Sequence, residues 1–436
     1  TARAICRSLI GRPVGGHLAV WNSLGWDRGG VLALAGIPRG MAPAGLLSQR
    51  AVRLDGEEIV LCEGATIPGM GSCSLALAPA RAAAVPSPFR YDGKTLETPE
   101  LQAAFDEAGG LISFKAGAER HELCAPGKPM NAFLLGEDVP AAWDNWDIDE
   151  DQVLKLRRQT DMVSRDVVSD GPLEFRLRSL WRIGRSSEIR QDLVMRAGSS
   201  MLIFETEIDW KEKHALLKAA FPTSLRPSFA RHEIQFGHIE RPVERNNRYE
   251  TVKFEVCQHK WTDLSENRHG VALLNDCKYG ISTESGEMRL TLMKAGLHPD
   301  PRGDEGVHFL AYALLPHAQG FSAGAVIRPA YELNVPLMTG DAAAGAPLLS
   351  VSSSNVVIES VKPAEDGRGY IVRLYEAERS SCETTVSFGR AVSSVHRCNL
   401  LEEDLAQMEV RDNAVRVMFR AFEIVSLRVI LAEGQA

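Results

Sequence analysis

Residues 173–183 read L-E-F-R-L-R-S-L-W-R-I, with apolar residues at nearly every second place. That period of two predicts a strand with one buried face. Two runs of similar texture, 189–195 and 201–210, follow it. Gly184-Arg185-Ser186-Ser187 and Gly198-Ser199-Ser200 separate the three as turn signals. Links this short predict antiparallel neighbours, because parallel strands need crossovers of a dozen or more residues. Further strands are predicted at 248–258, 271–274, 288–292, 308–314, 355–361, 370–376, 383–388 and 415–419. Helix is scarce. The best candidate is an amphipathic piece at 318–333, interrupted by Pro329. The pattern predicts a mainly all-β chain without an internal repeat.

At about 150 residues per domain, a length of 436 predicts two to four domains. Residues 75–86, L-A-L-A-P-A-R-A-A-A-V-P, read as a linker, and so do 339–347, T-G-D-A-A-A-G-A-P. They divide the chain into a small β unit with an N-terminal connector (1–85), a large β region (86–337) and a final unit (338–436). The last has the size of a small β-sandwich. The chain opens on Thr1-Ala2-Arg3-Ala4-Ile5-Cys6, with neither an initiator methionine nor a signal peptide, so a fragment or processed product is expected.

Composition narrows the class. With 44% hydrophobic residues a sizeable core can form, and a formal charge of -8 argues against broad nucleic-acid binding. No run of 18 uncharged apolar residues suggests a membrane span. The eight cysteines form no CxxC and read as mostly free thiols of a reducing compartment. The eleven histidines show no HExxH or HxH spacing. His232 and His238, six apart across Gly237, read as ordinary polar loop residues.

Three motifs bear on chemistry. Gly320-Phe321-Ser322-Ala323-Gly324 matches GxSxG, but the parallel-sheet setting of a nucleophile elbow is missing around it. Trp143-Asp144-Asn145-Trp146-Asp147-Ile148-Asp149 sets two indoles among carboxylates. Indole faces can cover a pyranose while carboxylates accept its hydroxyl hydrogens, and paired carboxylates are what a glycosidase needs. Composition favours the plainer alternative, a turn with solvated acids and a core tryptophan. Finally, Asn275-Asp276-Cys277-Lys278-Tyr279-Gly280 ends an apolar strand with a dense polar cluster. Such a place is common for a binding site, and a solvated hairpin turn is the favoured alternative.

Several segments together carry a resemblance. They are residues 233–242 (E-I-Q-F-G-H-I-E-R-P), 254–265 (F-E-V-C-Q-H-K-W-T-D-L-S), 270–280 (G-V-A-L-L-N-D-C-K-Y-G) and the 143–149 heptad. Residues 312–317 (Y-A-L-L-P-H), 331–337 (Y-E-L-N-V-P-L), 355–366 (N-V-V-I-E-S-V-K-P-A-E-D) and 20–28 (V-W-N-S-L-G-W-D-R) extend it over nearly the whole chain. In this order they resemble the C-terminal β-rich half of a glycoside hydrolase family 38 α-mannosidase, of the cytosolic and bacterial branch.

The resemblance implies an antiparallel β super-sandwich of galactose-mutarotase type flanked by smaller β-sandwich units. It implies a retaining enzyme for terminal, non-reducing α-D-mannose. Zinc or a similar divalent metal and the catalytic carboxylates would lie in an N-terminal barrel that this sequence does not match. No catalytic residue and no metal ligand is therefore assigned here. The implied role is to buttress the barrel and lend the rim of the sugar pocket Trp143, Asp144, Trp146, Asp147, Asp276, Lys278 and Tyr279, with His238 and Arg241 as weaker candidates. The expected partners are α-mannoside glycans, the protein's own barrel and further copies of the chain, without nucleic acid or membrane. The expected location is cytoplasmic. A carbohydrate-binding or structural module without chemistry, or a mutarotase-like enzyme, are the alternatives.

Overall fold

The computed structural model describes residues 16–81, 85–318, 320–340 and 345–432. Thr1-Ala2-Arg3-Ala4-Ile5-Cys6 and the middle of each stretch read as a linker lie outside the described residues.

The largest element is a nine-stranded antiparallel sheet. Its spatial order is Met162–Asp170, Glu174–Ile183, Ser187–Arg196, Leu202–Trp210, Gly306–Ala318, His269–Asn275, Trp261–Ser265, Phe229–Ile234 and Gly237–Pro242. The period-two run at 173–183 explains its early strands. Phe175, Leu177, Trp181 and Ile183 enter the core, whereas Arg182 faces solvent. Gly184 and Gly198 close the adjacent hairpins at φ +62° and +72°, a region that glycine enters without a Cβ penalty.

A six-stranded sheet packs against the inner face. It runs Arg157–Arg158, Ala132–Glu137, Ala215–Pro222, Glu287–Lys294, Gly280–Glu284, Val256–Cys257. Phe133, Phe204, Trp210, Phe221 and Tyr312 fill the space between the two sheets. Face-to-face packing of this kind is how two antiparallel sheets bury one side each. A five-stranded sheet from Arg90–Tyr91 to His121–Glu122 shares that core. The fold is thus an all-β antiparallel super-sandwich with smaller β units at its flanks.

Near the N-terminal end, His17–Asn22, Gly71–Pro79, Met41–Pro43 and Met338–Gly340 form a four-stranded sheet over a three-stranded one. The beginning of the stretch read as the first linker is therefore strand as far as Pro79. The last part of the chain is a sandwich of three and five strands with its own core, including Val372, Leu374, Phe388, Phe419 and Leu427.

Two local expectations change. Residues 248–258 do not form one strand. Asn247 accepts hydrogen bonds from the N–H groups of Tyr249 and Glu250 and so caps a helical turn, Arg248–Thr251, leaving only Val256–Cys257 extended. The helix expected at 318–333 is shorter and has two parts, a π-turn at Ala323–Ile327 and an α-helix at Arg328–Asn334. Pro329 sits in the first turn of the latter, directly after the π-turn. Ser322 of GxSxG uses its hydroxyl to cap Ala325 N–H, and the strand before it pairs antiparallel on both sides. It is a helix cap in a setting unlike that of a nucleophile elbow.

The short helix Arg328–Asn334 joins all three parts of the molecule. Trp26 Nε1 donates to Glu332 at 2.8 Å and Arg28 Nη1 to the Val335 carbonyl at 2.7 Å, from the N-terminal unit. Tyr331 Oη lies 2.9 Å from both Glu359 Oε2 and Tyr375 Oη of the terminal sandwich. Asn334 Nδ2 donates at 3.0 Å to the Asn275 carbonyl of the nine-stranded sheet. Among the described residues no helix is long and apolar enough to cross a membrane, and Cys62, Cys73, Cys124, Cys257, Cys277, Cys382 and Cys398 are free thiols.

Candidate functional site

Where the chain leaves the nine-stranded sheet at Asn275 it crosses to the six-stranded sheet at Gly280. The crossing is the polar cluster 275–280. Asn275 braces it. Its Nδ2 donates to the His259 carbonyl at 2.6 Å, and its Oδ1 accepts from Lys278 N–H at 2.6 Å. Gln258 holds the other end, with its N–H on the Tyr279 carbonyl at 2.9 Å and its Nε2 on the Lys278 carbonyl at 2.7 Å.

This braced turn forms one wall of a cleft of about 390 Å³ lined by His259, Lys260, Asn275, Asp276, Tyr279 and Asn334. Asp276 fixes its backbone on the Ala311 carbonyl, and its Oδ1 is buried with no hydrogen-bond partner among the described residues. An unpaired buried acceptor carries a desolvation cost, and the neighbouring Cys277 thiol, hydrogen-bonded to the same carboxylate, offsets part of it. Tyr279 is 52% exposed, and its ring meets that of His259 edge-on at 5.6 Å.

Lys260 is held from beneath. Its Nζ is 2.7 Å from Glu233 Oε1 and 4.3 Å from the centre of the Tyr331 ring. Glu233 Oε2 accepts the Lys260 N–H at 2.6 Å. Burial pushes the Glu233 carboxyl up, and Lys260 opposes that shift only in part. Tyr331 is pushed far up by burial, then by its neighbours Tyr375 and Glu359, so it is a neutral hydrogen-bonding phenol.

The structure thus brings Asp276 and Tyr279 to the cleft, with Lys278 in the same turn. The Lys278 ammonium points along the six-stranded sheet, 3.9 Å from Met293 Sδ. The other candidates lie elsewhere. Trp143 and Trp146 are 76% and 82% exposed, on a loop pinned by Asp144, whose Oδ2 accepts from Leu297 N–H at 2.7 Å and His298 N–H at 3.1 Å. Leu297 N–H above all holds the Asp144 carboxyl below its ordinary range. Asp147 is exposed on the same loop. The heptad is therefore a turn, but its indoles lie in solvent and not in the core.

His232 and His238 are not loop residues. They lie on two strands of a hairpin and are 0% and 6% exposed. His238 stacks edge-on against Phe321 and Phe422 at 4.9 Å and reaches the Ala377 carbonyl at 3.2 Å through Nδ1, so it belongs to the contact with the terminal sandwich. Arg241 reaches the Cys257 carbonyl at 3.4 Å. Neither lines the cleft.

Three lining residues, His259, Lys260 and Asn334, are not among the sequence candidates, and Asn275 enters only as part of the 275–280 cluster. His259 and Lys260 stand just before a buried strand, much as Asp276 follows one, and that shared position is the signal that could have found them. Asn334 comes 59 positions after Asn275 and carries no local signal.

The family model described as Glycosyl hydrolases family 38 C-terminal domain matches residues 96–302, and the Glycosyl hydrolases family 38 C-terminal beta sandwich domain matches 355–427. Alpha-mannosidase 2C1 of Homo sapiens is 35% identical over 448 aligned residues, which include 99% of this chain. The chain belongs to glycoside hydrolase family 38. It spans 41% of that human relative's length. Alpha-mannosidase G of Dictyostelium discoideum is 31% identical over 66% of this chain and 28% of its own length. A crystal structure of an alpha-mannosidase from Enterococcus faecalis superposes with a TM-score of 0.74 at 14% identity, over 94% of this chain and 56% of that one. That likeness is one of fold. Within the family 38 match at 96–302 lie five of the six cleft residues, while Asn334 falls between the two matched domains.

As a chemical device the cleft offers one carboxylate, Asp276, an ammonium, amides, an imidazole and a phenol. Retaining hydrolysis needs two carboxyl groups about 5–5.5 Å apart. The lining set suits polar recognition and does not contain that pair. Among the described residues no three His, Cys, Asp or Glu side chains gather as a metal would require, so they do not fit a resident zinc.

Proposed function

We propose that this chain is the C-terminal β-rich portion of a retaining α-mannosidase acting on terminal, non-reducing α-D-mannose. In this reading it buttresses a catalytic barrel, which holds the zinc and both carboxyl groups, and lends the cleft at 275–280 to the rim of the sugar pocket. The observation that carries the reading is the Asp276 carboxylate, whose Oδ1 has no hydrogen-bond partner among the described residues, in a cleft of polar side chains within the stretch matched by the family. A rim acceptor that bonds a sugar hydroxyl more strongly in the transition state than in the ground state would raise rate as well as affinity. Trp143 and Trp146, exposed on a pinned loop, belong in this reading to the face the barrel covers, and without it the same face pairs copies of the chain. The proposed location is cytoplasmic.

Two measurements test this. The 436-residue chain, natively folded by circular dichroism, is expected to show no turnover of an aryl α-mannoside with or without added zinc or cobalt. Metal-dependent turnover would overturn the assignment of the chemistry to another part. In ligand-observed NMR, Asp276→Ala is expected to weaken binding of methyl α-D-mannopyranoside by about 1.5–3 kcal/mol, the range for a hydrogen bond to a charged group. Unchanged affinity would remove Asp276, and with it the cleft, from the sugar rim.

A further inference from the structure

Lys260 presents the cleft's ammonium under unusual constraint. Its partner Glu233 is 3% exposed and uses both oxygens on it, one on the ammonium and one on the backbone N–H. An ammonium has three protons. Glu233 takes one direction and the Tyr331 ring face a second, which leaves one for the cleft that Lys260 lines. The side chain is 26% exposed.

The charges matter as much as the geometry. Lys260 and Glu233 cancel, which leaves the Asp276 carboxylate on the cleft wall, with the Lys278 ammonium of the same turn directed toward Met293. A carboxylate or phosphate on the ligand would meet a neutralised ammonium and the Asp276 carboxylate. A hydroxyl would meet a donor at Lys260 and an acceptor at the Asp276 carboxylate. We propose that the Glu233–Lys260 pair makes this cleft selective for a neutral polyhydroxy ligand over an acidic one. Lys260 donates to a ligand hydroxyl, and Glu233 is a positioning residue that aims the ammonium and removes its attraction for anions. This rests on the reading that the cleft contacts the glycan, and it adds which glycan faces it admits.

The experiment compares methyl α-D-mannopyranoside with its C6-carboxylate analogue, the methyl mannosiduronate, on the full 436-residue chain by ligand-observed NMR at pH 8. The wild type is expected to bind the neutral sugar about tenfold more tightly than the uronate. Glu233→Gln keeps the shape of the pair and frees the positive charge, so it is expected to shift that ratio about tenfold toward the acid. Lys260→Met is expected to weaken the neutral sugar about tenfold, and Lys260→Arg to restore most of the loss. A purely structural pair would change stability or both affinities together and leave the ratio where it was. An unchanged ratio in Glu233→Gln, or a wild type that prefers the uronate, overturns the proposal. If Asp276→Ala loses affinity while the Glu233→Gln ratio stays fixed, only the selectivity is wrong. A wild type that binds neither sugar overturns both the selectivity and the cleft's place on the rim.

Discussion

Replacing Arg176 by methionine is expected to destabilise the chain by about 3–5 kcal/mol, the cost of leaving a buried charge without its partner. Arg176 is fully buried. Its guanidinium lies 2.6 Å from Glu174, 2.7 Å from Glu205 and 3.4 Å from Asp192. Glu174 and Asp192 are themselves fully buried. Burial alone would push the Glu205 carboxyl up, but Arg176 and then Arg53 outweigh it and hold the group below its ordinary range. The methionine would fill the volume and leave three carboxylates facing one another. Arg178, 2.7 Å from Asp192, and Arg196, 3.5 Å from Glu174, soften the loss but do not replace the central cation. The damage would reach the N-terminal unit, because Arg53 lies 3.3 Å from Glu205, and Gln49 takes the N–H groups of Leu173 and Glu174. Denaturant midpoints read the effect, and a loss below about 1 kcal/mol would show that the remaining arginines carry the network. The Glu205 contribution is present at neutral pH and disappears as pH falls through its depressed folded value.

The second large effect is a dependence on acid. His232 is fully buried, with Nδ1 2.9 Å from Thr262 Oγ1 and Nε2 unpartnered among the described residues. Burial, with a smaller push from Arg241, lowers its pKa to about 3. The unfolded chain takes up a proton near the ordinary value of about 6.5, and the folded chain does not until about 3. The unfolded state therefore gains over the folded one as pH drops through that window, by about 1.4 kcal/mol per pH unit from this residue alone. Between pH 6.5 and 4 the wild type is expected to lose about 3 kcal/mol more than His232→Asn, since carboxylates titrate in both and cancel in the difference. Parallel slopes for the two proteins over that range would show that His232 is protonated in the fold.

These two residues also mark where sequence patterning reaches its limit. The alternation at 173–183 located the strand Glu174–Ile183, because one of its faces is buried and the period of two survives. Arg176 lies on the opposite face, as alternation says it should, yet it is buried, because the N-terminal unit settles on that face through Arg53 and Gln49. A contact that bridges more than a hundred positions leaves no trace in local period. Ala215–Pro222 shows the converse. It is buried on both faces in the middle of the six-stranded sheet, so it has no alternation to detect, and its Lys218 reads as polar while lying fully buried against Glu255. At 248–258 a single capping residue, Asn247, overrode strand-forming composition.

The cleft divides in the same way. Asp276 and Tyr279 were legible because a polar turn after an apolar strand sits at the edge of a sheet by necessity. Glu233 was not, since it resembles any acid on a strand until Lys260 is known to sit across from it. The 143–149 heptad was legible as an oddity of composition. Its place became clear only when Asp144 was seen to spend its carboxylate on the backbone of Leu297 and His298.

The segment between the large sandwich and the terminal one is ordinarily where a chain tolerates added length. Part of it here is the helix Arg328–Asn334, whose contacts are tied to particular angular positions. An α-helix turns about 100° per residue. One residue inserted near Arg328 would swing Asn334 away from the Asn275 carbonyl and Tyr331 away from Tyr375 and Glu359 in the same stroke. Length variation in descendants of this chain therefore has room in hairpin turns such as 198–200, while this connector works as a gauge whose count of residues is part of the cleft's specification.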